Sequence, residues 1–352
     1  MQAVAEIYAK RRLRHLLILV GLMSALVLTA GVVVNMGPVH IPPTTVAGIV
    51  LSKVPLLGRL FSGDWSPTQE AILLGVRLPR LLSGVLVGSA LAVAGCAMQG
   101  MFRNPMASPY IVGVSSGAAF GAALAIVLGI GLGGFAVPAV AFAFALLAVF
   151  VVYNISRVRG RVPIETLLLA GIAVGAFFSA LVSFMNYIAG EKLPAIVFWI
   201  VGGLWASSWE KVLAALPLIL LGTAGILLFG RDLNLMLMGE EDALDLGVNV
   251  ERTKRLVLAL AALITAAAVS ISGVIGFVGL IIPHVMRILV GPDHRVLLPS
   301  SCLVGALFLV WTDTLARTII QPTELPVGLI TALLGAPFFL YLLRRRRRVI
   351  GW

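Results

Sequence analysis

The chain has 352 residues, of which 60% are hydrophobic and only 12% are charged. A soluble protein of this length carries more charge on its surface, so the composition predicts a polytopic membrane protein. The net charge of +11 is divided among short loops and forms no basic face, which argues against a nucleic-acid-binding protein.

Hydropathy along the chain predicts ten membrane-spanning helices. The first follows a basic segment with Lys10 and Arg14, and its apolar run is too long for a signal peptide. The predicted spans are 16–34, 78–101, 110–129, 132–156, 163–189, 210–229, 256–273, 276–290, 297–317 and 326–343. The run at 276–290 is short and contains Pro283, so the break near Gly273 is either a loop or a kink. The expected fold is an all-α, polytopic membrane protein in which residues 1–352 form a single transmembrane domain.

The segment 37–76 lies between the first two spans and contains five prolines. Its apolar pieces are too short to cross a bilayer. We therefore expect an extracytoplasmic loop that lies at the outer surface of the membrane.

Charge orients the predicted topology. Most of the 26 Lys and Arg residues fall in the segments that lie inside when the N-terminus is inside, as the positive-inside rule requires. Both termini, including the basic tail 344–352, are then cytoplasmic, and so is the polar stretch 231–255. The expected location is the cell membrane of a prokaryote, with several passes through the lipid bilayer.

The stretch 231–255 is the longest polar passage in the chain, but its pattern is not that of an unstructured linker. Apolar residues recur in it at helical spacing among acidic ones: Leu233, Met236, Leu237, Ala243, Leu244 and Leu246. This pattern predicts one or two short amphipathic helices at the membrane surface. Such helices either pack only on their own bundle or form a contact surface for a cytoplasmic partner.

Residues that could carry chemistry are few. The sequence contains no HExxH, GxSxG or Walker lysine motif, so we do not expect an enzyme. Asp313 and Arg317 are one helical turn apart, which favours a local ion pair. His284 is typical of a structural, hydrogen-bonded histidine. Cys96 and Cys302 each lie inside an apolar run and are expected to be packing residues, so no metal site is predicted.

Small residues recur every four positions in three stretches. The stripes are Gly84 and Gly88; Gly113, Gly117 and Gly121; and Gly171, Gly175, Ser179 and Ser183. Such stripes let helix backbones approach closely inside a membrane. The third stripe continues to Asn186, so Ser179, Ser183 and Asn186 either pack tightly or border a hydrated passage.

Four long passages are distinctive: RLPRLLSGVLVGSALAVAGCAMQGMFRNPMASPYIVGVSSGA at 77–118, GEEDALDLGVNV at 239–250, SGVIGFVGLIIPHVMR at 272–287 and ELPVGLITALLGAPFFLYLL at 324–343. Together they resemble the FecCD family of ABC-importer permeases. The resemblance implies the ten-helix, vitamin-importer-type (type II) permease fold. It also implies a permease that carries an iron chelate, either a ferric siderophore or haem, by ATP-driven alternating access. Cobalamin or another corrinoid is the alternative cargo within the family, and an ion-coupled secondary transporter is the distant alternative outside it.

The resemblance assigns roles to three groups of residues. Coupling to the ATPase is implied for Glu240, Glu241, Asp242, Ala243, Leu246 and Gly247. Exposed arginines that dock a substrate-binding protein are implied at Arg77, Arg80 and Arg317. A cytoplasmic gate is implied at Asn104, Met106, Ile164 and Glu165, although a glutamate at 165 departs from the small hydroxylated residue expected of a cobalamin permease.

The implied partners complete this expectation. They are a second copy of the chain in a homodimer, two cytoplasmic ATPase subunits that bind Mg-ATP, and an extracytoplasmic substrate-binding protein. The chain itself would bind no cofactor and hydrolyse no ATP.

Overall fold

The computed structural model describes residues 2–37, 39–53, 63, 65–130, 134–320 and 322–350. In this part of the chain there is no strand beyond an isolated bridge between Val158 and Arg161, and helices dominate. The helices are α1 (Gln2–Val33), α2 (Pro43–Ser52), α3 (Pro67–Ile72), α4 (Leu78–Met101), α5 (Val114–Leu128), α6 (Ala136–Ser156), α7 (Ile164–Ile188), α8 (Leu193–Val201), α9 (Trp209–Leu228), α10 (Gly230–Met236), α11 (Glu240–Asp245), α12 (Val250–Ser272), α13 (Val278–Val290), α14 (His294–Thr318) and α15 (Val327–Ile350).

Ten of these helices correspond to the ten predicted spans: α1, α4, α5, α6, α7, α9, α12, α13, α14 and α15. Seven candidate spans among the described residues are long and apolar enough to cross a membrane, and α5, α13 and the apolar part of α15 are shorter apolar helices. The all-α polytopic fold is confirmed. Helix α12 begins at Val250 rather than at 256 because the side chain of Asn249 accepts a hydrogen bond from the amide of Arg252 and starts the helix in the polar region.

The break near Gly273 is a loop rather than a kink, since residues 273–277 separate α12 from α13. Gly273 and Phe277 both have positive φ, at 69° and 67°. A side chain at Gly273 would overlap the carbonyl oxygen of Trp199, which lies in α8. Glycine is therefore required there twice, for its backbone conformation and for the close approach of α8.

The segment 37–76 is more structured than the prediction of a loop allows. It contains α2 and α3, and α3 continues through a π-helical turn, Leu73–Arg77, into α4. A capping box between Ser66 and Gln69 begins α3. The buried side chains of Ile41, Ile49 and Leu73 join Val34 in a small core of their own. The described residues of the segment thus form a packed unit. Helix α8, between α7 and α9, is a second element that hydropathy did not predict.

Helix α4 lies in the middle of the bundle, against α9, α12, α13 and α14. A methyl group at Gly88 would overlap the carbonyl oxygen of Gly305 in α14, and one at Gly95 would overlap that of Gly279 in α13. The predicted close packing is confirmed for Gly88, and for Gly117 and Gly121, which lie against α6. Gly113 instead ends a 3-10 turn before α5 with φ 82°. Cys96 is fully buried and Cys302 partly buried, as packing residues should be.

Candidate functional site

Three arginines gather at one end of the bundle, which we call the arginine end. Arg80 of α4 binds both Asp313 of α14 and Glu324 of the loop before α15. Its Nε lies 3.1 and 2.9 Å from the two carboxylate oxygens of Asp313, and its Nη1 lies 3.0 and 2.9 Å from those of Glu324. Charged bidentate pairs of this kind are among the stronger hydrogen bonds in proteins. They fasten α4, α14 and the start of α15 together.

Arg77 and Arg317 also donate hydrogen bonds to their own chain, although the buried Nε of Arg317 has no hydrogen-bond partner among the described residues. Arg77 donates to the carbonyl oxygens of Val34, at 2.7 Å, and Val39. Arg317 donates to those of Met36, at 2.8 Å, and Val33, at 3.0 Å. Both side chains therefore hold the end of α1 and the residues that follow it.

One prediction about these residues is wrong, and a second is incomplete: the predicted Asp313–Arg317 ion pair is present, but it is not the closest contact of Asp313. Arg77, Arg80 and Arg317 are all buried, so they are not the exposed cations that were expected. The closest partner of Asp313 is Arg80, whereas the Arg317 guanidinium lies 4.0 Å from it. The reason is the same in both cases: the true partners come from distant parts of the sequence, where helical spacing gives no information.

The opposite end of the bundle carries α10 and α11, as two short helices between α9 and α12. Asn234 of α10 donates to Asp293 at 2.6 Å and accepts from the amide of His294 at 2.8 Å, which ties α10 to the start of α14. Burial alone would raise the pKa of Asp293, but hydrogen bonds from Asn234 and the Arg295 amide, with the charge of Arg295, hold that pKa below its ordinary value. Asp293 therefore remains a charged acceptor at this junction.

Helix α11 buries one face and exposes another. Ala243 is fully buried in the main core together with Leu233 and Met236 of α10. Its inclusion among the coupling residues is therefore corrected, since its side chain packs on its own bundle. Met238 is 66% exposed and Leu244 is 55% exposed, beside exposed acids. We call this region the coupling surface: Leu237, Met238, Glu241, Asp242, Leu244, Asp245, Leu246 and Gly247.

Lys254 connects α11 to the body of the protein. Its Nζ lies 2.6 Å from Glu240 of α11 and 3.4 Å from Glu251, one turn earlier in α12. The other carboxylate oxygen of Glu251 accepts a hydrogen bond of 3.1 Å from the amide of Val162, just before α7. Sequence reasoning missed these contacts, although the spacing of Glu251 and Lys254 is a helical i, i+3 pair.

The four predicted gate residues lie on two neighbouring loops. The side chain of Asn104 accepts a hydrogen bond from the amide of Met106 at 2.9 Å, which fixes the turn after α4. Ile164 and Glu165 begin α7 and line a cavity of about 230 Å³ with Arg103, the residue before Asn104. The structure therefore brings the two loops to one cavity, and the gate role itself stays a prediction.

The predicted pathway residues lie on α7, whose exposed arc is broad. Ser179 and Ser183 are exposed and Asn186 is half-buried, one and two turns apart on one stripe. A second exposed stripe beside it is apolar and aromatic, with Phe177, Phe184 and Tyr187. In the stripe that runs from Gly171 to Ser183, Gly171 packs tightly, against the carbonyl oxygen of Ile111, whereas Gly175 makes only an ordinary contact with Ser116. Ser179 and Ser183 therefore face outward from the single chain.

Comparisons with known proteins agree on one family. The model of the FecCD transport family matches residues 22–345. The chain is 53% identical over 281 residues to the cobalamin import system permease protein BtuC of Halobacterium salinarum, covering 79% of this chain and 75% of that protein. It is 45% identical over 286 residues to the hemin transport system permease protein HmuU of Yersinia pestis, covering 78% and 84%. A solved structure described as the inward-facing conformation of a metal-chelate type ABC transporter matches with a TM-score of 0.80 at 37% identity, over 93% of this chain and 99% of that one.

Proposed function

Because this chain is a multi-pass membrane protein that belongs to the FecCD transport family, we propose that it is the permease subunit of a binding-protein-dependent ABC importer. Two copies enclose the passage, two cytoplasmic ATPase subunits hydrolyse Mg-ATP, and an extracytoplasmic binding protein delivers the cargo. The chain supplies the passage and binds no cofactor. It lies in the cell membrane of a prokaryote, with both termini and the α10–α11 end in the cytoplasm, as its charge distribution favours.

The coupling surface is the observation that carries this proposal. Exposed apolar side chains such as Met238 and Leu244 are costly in water unless a partner covers them. The acids beside them, Glu241, Asp242 and Asp245, are repelled by the anionic lipids of a cytoplasmic leaflet. A protein partner therefore fits this surface better than the membrane does. In a family of ABC permeases, that partner is the ATPase.

Transport then proceeds by alternating access. Closure of the ATPase dimer on ATP moves α10 and α11, and these helices are fastened to spanning helices through Asn234 and Lys254. The movement changes which end of the passage is open. The stripe of Ser179, Ser183 and Asn186 lines the passage, and the residues Asn104, Met106, Ile164 and Glu165 close its cytoplasmic end.

The binding protein docks at the arginine end. Three arginines, Arg77, Arg80 and Arg317, face two carboxylates there, so the cluster keeps one net positive charge. Since the guanidiniums are buried, they attract an acidic binding protein through their field rather than by exposed side chains. Glu324 is the accessible member of the cluster, with 37% of its side chain exposed.

The cargo is a metal chelate. An iron chelate, either a ferric siderophore or haem, is our first candidate, and the hemin permease at 45% identity supports haem. Cobalamin is the second candidate, and the cobalamin permease at 53% identity is the observation that favours it. Glu165 at the gate is the feature of this chain that speaks against cobalamin.

The test is a pull-down of the ATPase subunits with tagged permease. Leu244→Asp should weaken the complex by about 2 kcal/mol or more, roughly thirtyfold in affinity, because it places a charge in the covered part of the contact. The matched control is Val158→Asp, an exposed apolar residue on the loop between α6 and α7 at the same end of the bundle. Equal recovery of the ATPase by both variants and the wild type would contradict the assignment of the coupling surface.

A further inference from the structure

Lys254 lies between the coupling surface and α7, the helix that carries Ser179, Ser183 and Asn186. We propose that Glu240, Lys254, Glu251 and the amide of Val162 form an ionic link that makes α11 and the start of α7 move as one unit. The inference rests on the proposed function, because it says how movement of the coupling surface reaches the passage. It identifies Lys254 and Glu251 as positioning residues for transport.

The contacts of Lys254 favour a link across elements over a local pair. The lysine side chain is only 8% exposed, so its charge needs partners inside the protein. Its shorter contact, 2.6 Å, is to Glu240 on α11, and its longer one, 3.4 Å, is to Glu251 on its own helix. The first partner therefore belongs to the helix that the ATPase would move.

Both carboxylates of the link remain partly accessible, with side-chain exposures of 32% for Glu240 and 31% for Glu251. They border the same cavity of about 230 Å³ that Ile164 and Glu165 line. Arg103 and Arg161 border it as well, so three cations and three carboxylates meet there. This balance leaves no uncompensated charge in the cavity, so the link can stay intact while it moves.

The segment from Val162 to α7 is stiff enough to pass a displacement on. Val158 and Arg161 exchange backbone hydrogen bonds of 2.9 and 3.0 Å across a tight turn. The hydroxyl of Thr166 donates to the carbonyl oxygens of Ser156, at 3.0 Å, and Pro163, at 2.9 Å. A displacement of Glu251 therefore moves the amide of Val162 and the first turn of α7 with it, because the hydrogen bonds of this loop keep it from deforming.

The experiment measures cargo moved per ATP hydrolysed, in liposomes that contain the permease, its ATPase subunits and the binding protein. The probes are a ferric hydroxamate siderophore, haem and cobalamin, and the one that the wild type carries is used for the variants. Lys254→Gln and Glu251→Gln should lower this ratio roughly tenfold while the ATPase still co-purifies, since coupling between sites has about this size. Lys254→Arg should restore most of the ratio because it keeps the charge.

The matched control is Arg252→Gln, which removes a cation from the same turn of α12 but an exposed one outside the link. It should leave the ratio unchanged. If Lys254→Gln lowered hydrolysis and transport by the same factor, the lysine would be only an anchor and the inference would be overturned. An unchanged ratio in both link variants would overturn it as well.

A second measurement tests the movement itself. Spin labels at Asp245→Cys on α11 and Val158→Cys before α7, with Cys96 and Cys302 replaced, should keep one separation between the nucleotide-free and the vanadate-trapped complex. In Lys254→Gln that separation should change between the two states. If the separation of the labels already changed between the two states in the protein with the link intact, α11 and the start of α7 would not move as one unit. Loss of ATP-dependent uptake by the wild type would refute the proposed function, whereas failure of the link alone leaves that uptake intact.

Discussion

The two ends of the bundle use charge in opposite ways. At the arginine end, Arg80 and Asp313 are buried and bind each other, and Arg77 and Arg317 donate to backbone carbonyl groups. At the α10–α11 end, the carboxylates that hold Lys254 are about one third exposed and lie beside an apolar surface that none of the described residues covers.

This difference distinguishes a rigid frame at the arginine end from the α10–α11 end, which moves in the proposed mechanism. A buried network of charged hydrogen bonds rigidifies the elements it joins, here α1, α4, α14 and the loop before α15. At the α10–α11 end the two carboxylates keep contact with water, so the link to Lys254 can move as one unit with α11. The same types of side chain therefore give a rigid frame at the arginine end and, in the proposed function, a contact region for the ATPase at the α10–α11 end.

The largest effect is expected from Asp313→Asn at the arginine end. It leaves two buried arginines with one fewer carboxylate, which should cost about 3–5 kcal/mol of stability. The thermal midpoint in detergent measures this. Glu191→Gln is the matched control. Glu191 is an exposed carboxylate near the same end and has no ion pair among the described residues. This substitution should change the free energy of unfolding by less than about 0.5 kcal/mol. A similar midpoint for both variants would contradict the rigid frame.

A smaller loss of stability is expected from Gly95→Ala, which tests the close packing of α4 against α13 in the middle of the bundle. The added methyl group overlaps the backbone of Gly279, so α4 and α13 must separate, at about 1–3 kcal/mol. Gly21→Ala is the control, because nothing lies within 4 Å of the methyl group that it adds to α1. If thermal midpoints showed Gly95→Ala to be as stable as the control, the close contact of the two backbones would be wrong.

The smallest effect is expected from Glu324→Gln. It removes the accessible carboxylate of the arginine end and raises the net charge of the cluster from one to two positive charges. Association with an acidic binding protein should become a few times faster at low salt, and high salt should abolish the difference. Stopped-flow binding measures the rate. Slower association would mean that Glu324 itself contacts the partner.

Most of the spanning architecture follows from the sequence, because a bilayer selects long apolar runs whatever their tertiary contacts. The bounds of α4 were predicted without error, and those of α7 and α9 to within a residue. The amphipathic stretch 231–255 was also predicted, since its helical periodicity is local. Acidic residues among apolar ones at a fixed spacing are visible before any folding is known.

The features that could not be predicted depend on contacts between residues that are far apart in the sequence. The carbonyl partner of Arg77, Val34, follows the end of α1, and the partners of Arg80, Asp313 and Glu324, come from the far end of the chain. Helix α8 is too short to register as a span. The link through Lys254 needs Glu240 and Val162 to meet at one place, and only the folded chain brings them together.

The central claim is that this permease couples ATP hydrolysis to import through the coupling surface. The most direct measurement is uptake into liposomes that hold the permease and its ATPase subunits, with ATP inside and the loaded binding protein outside, for a ferric siderophore, haem and cobalamin in turn. We predict uptake of one cargo that requires both ATP and the binding protein and that Leu244→Asp abolishes. Uptake driven by an ion gradient without ATP would contradict the claim and identify a secondary transporter.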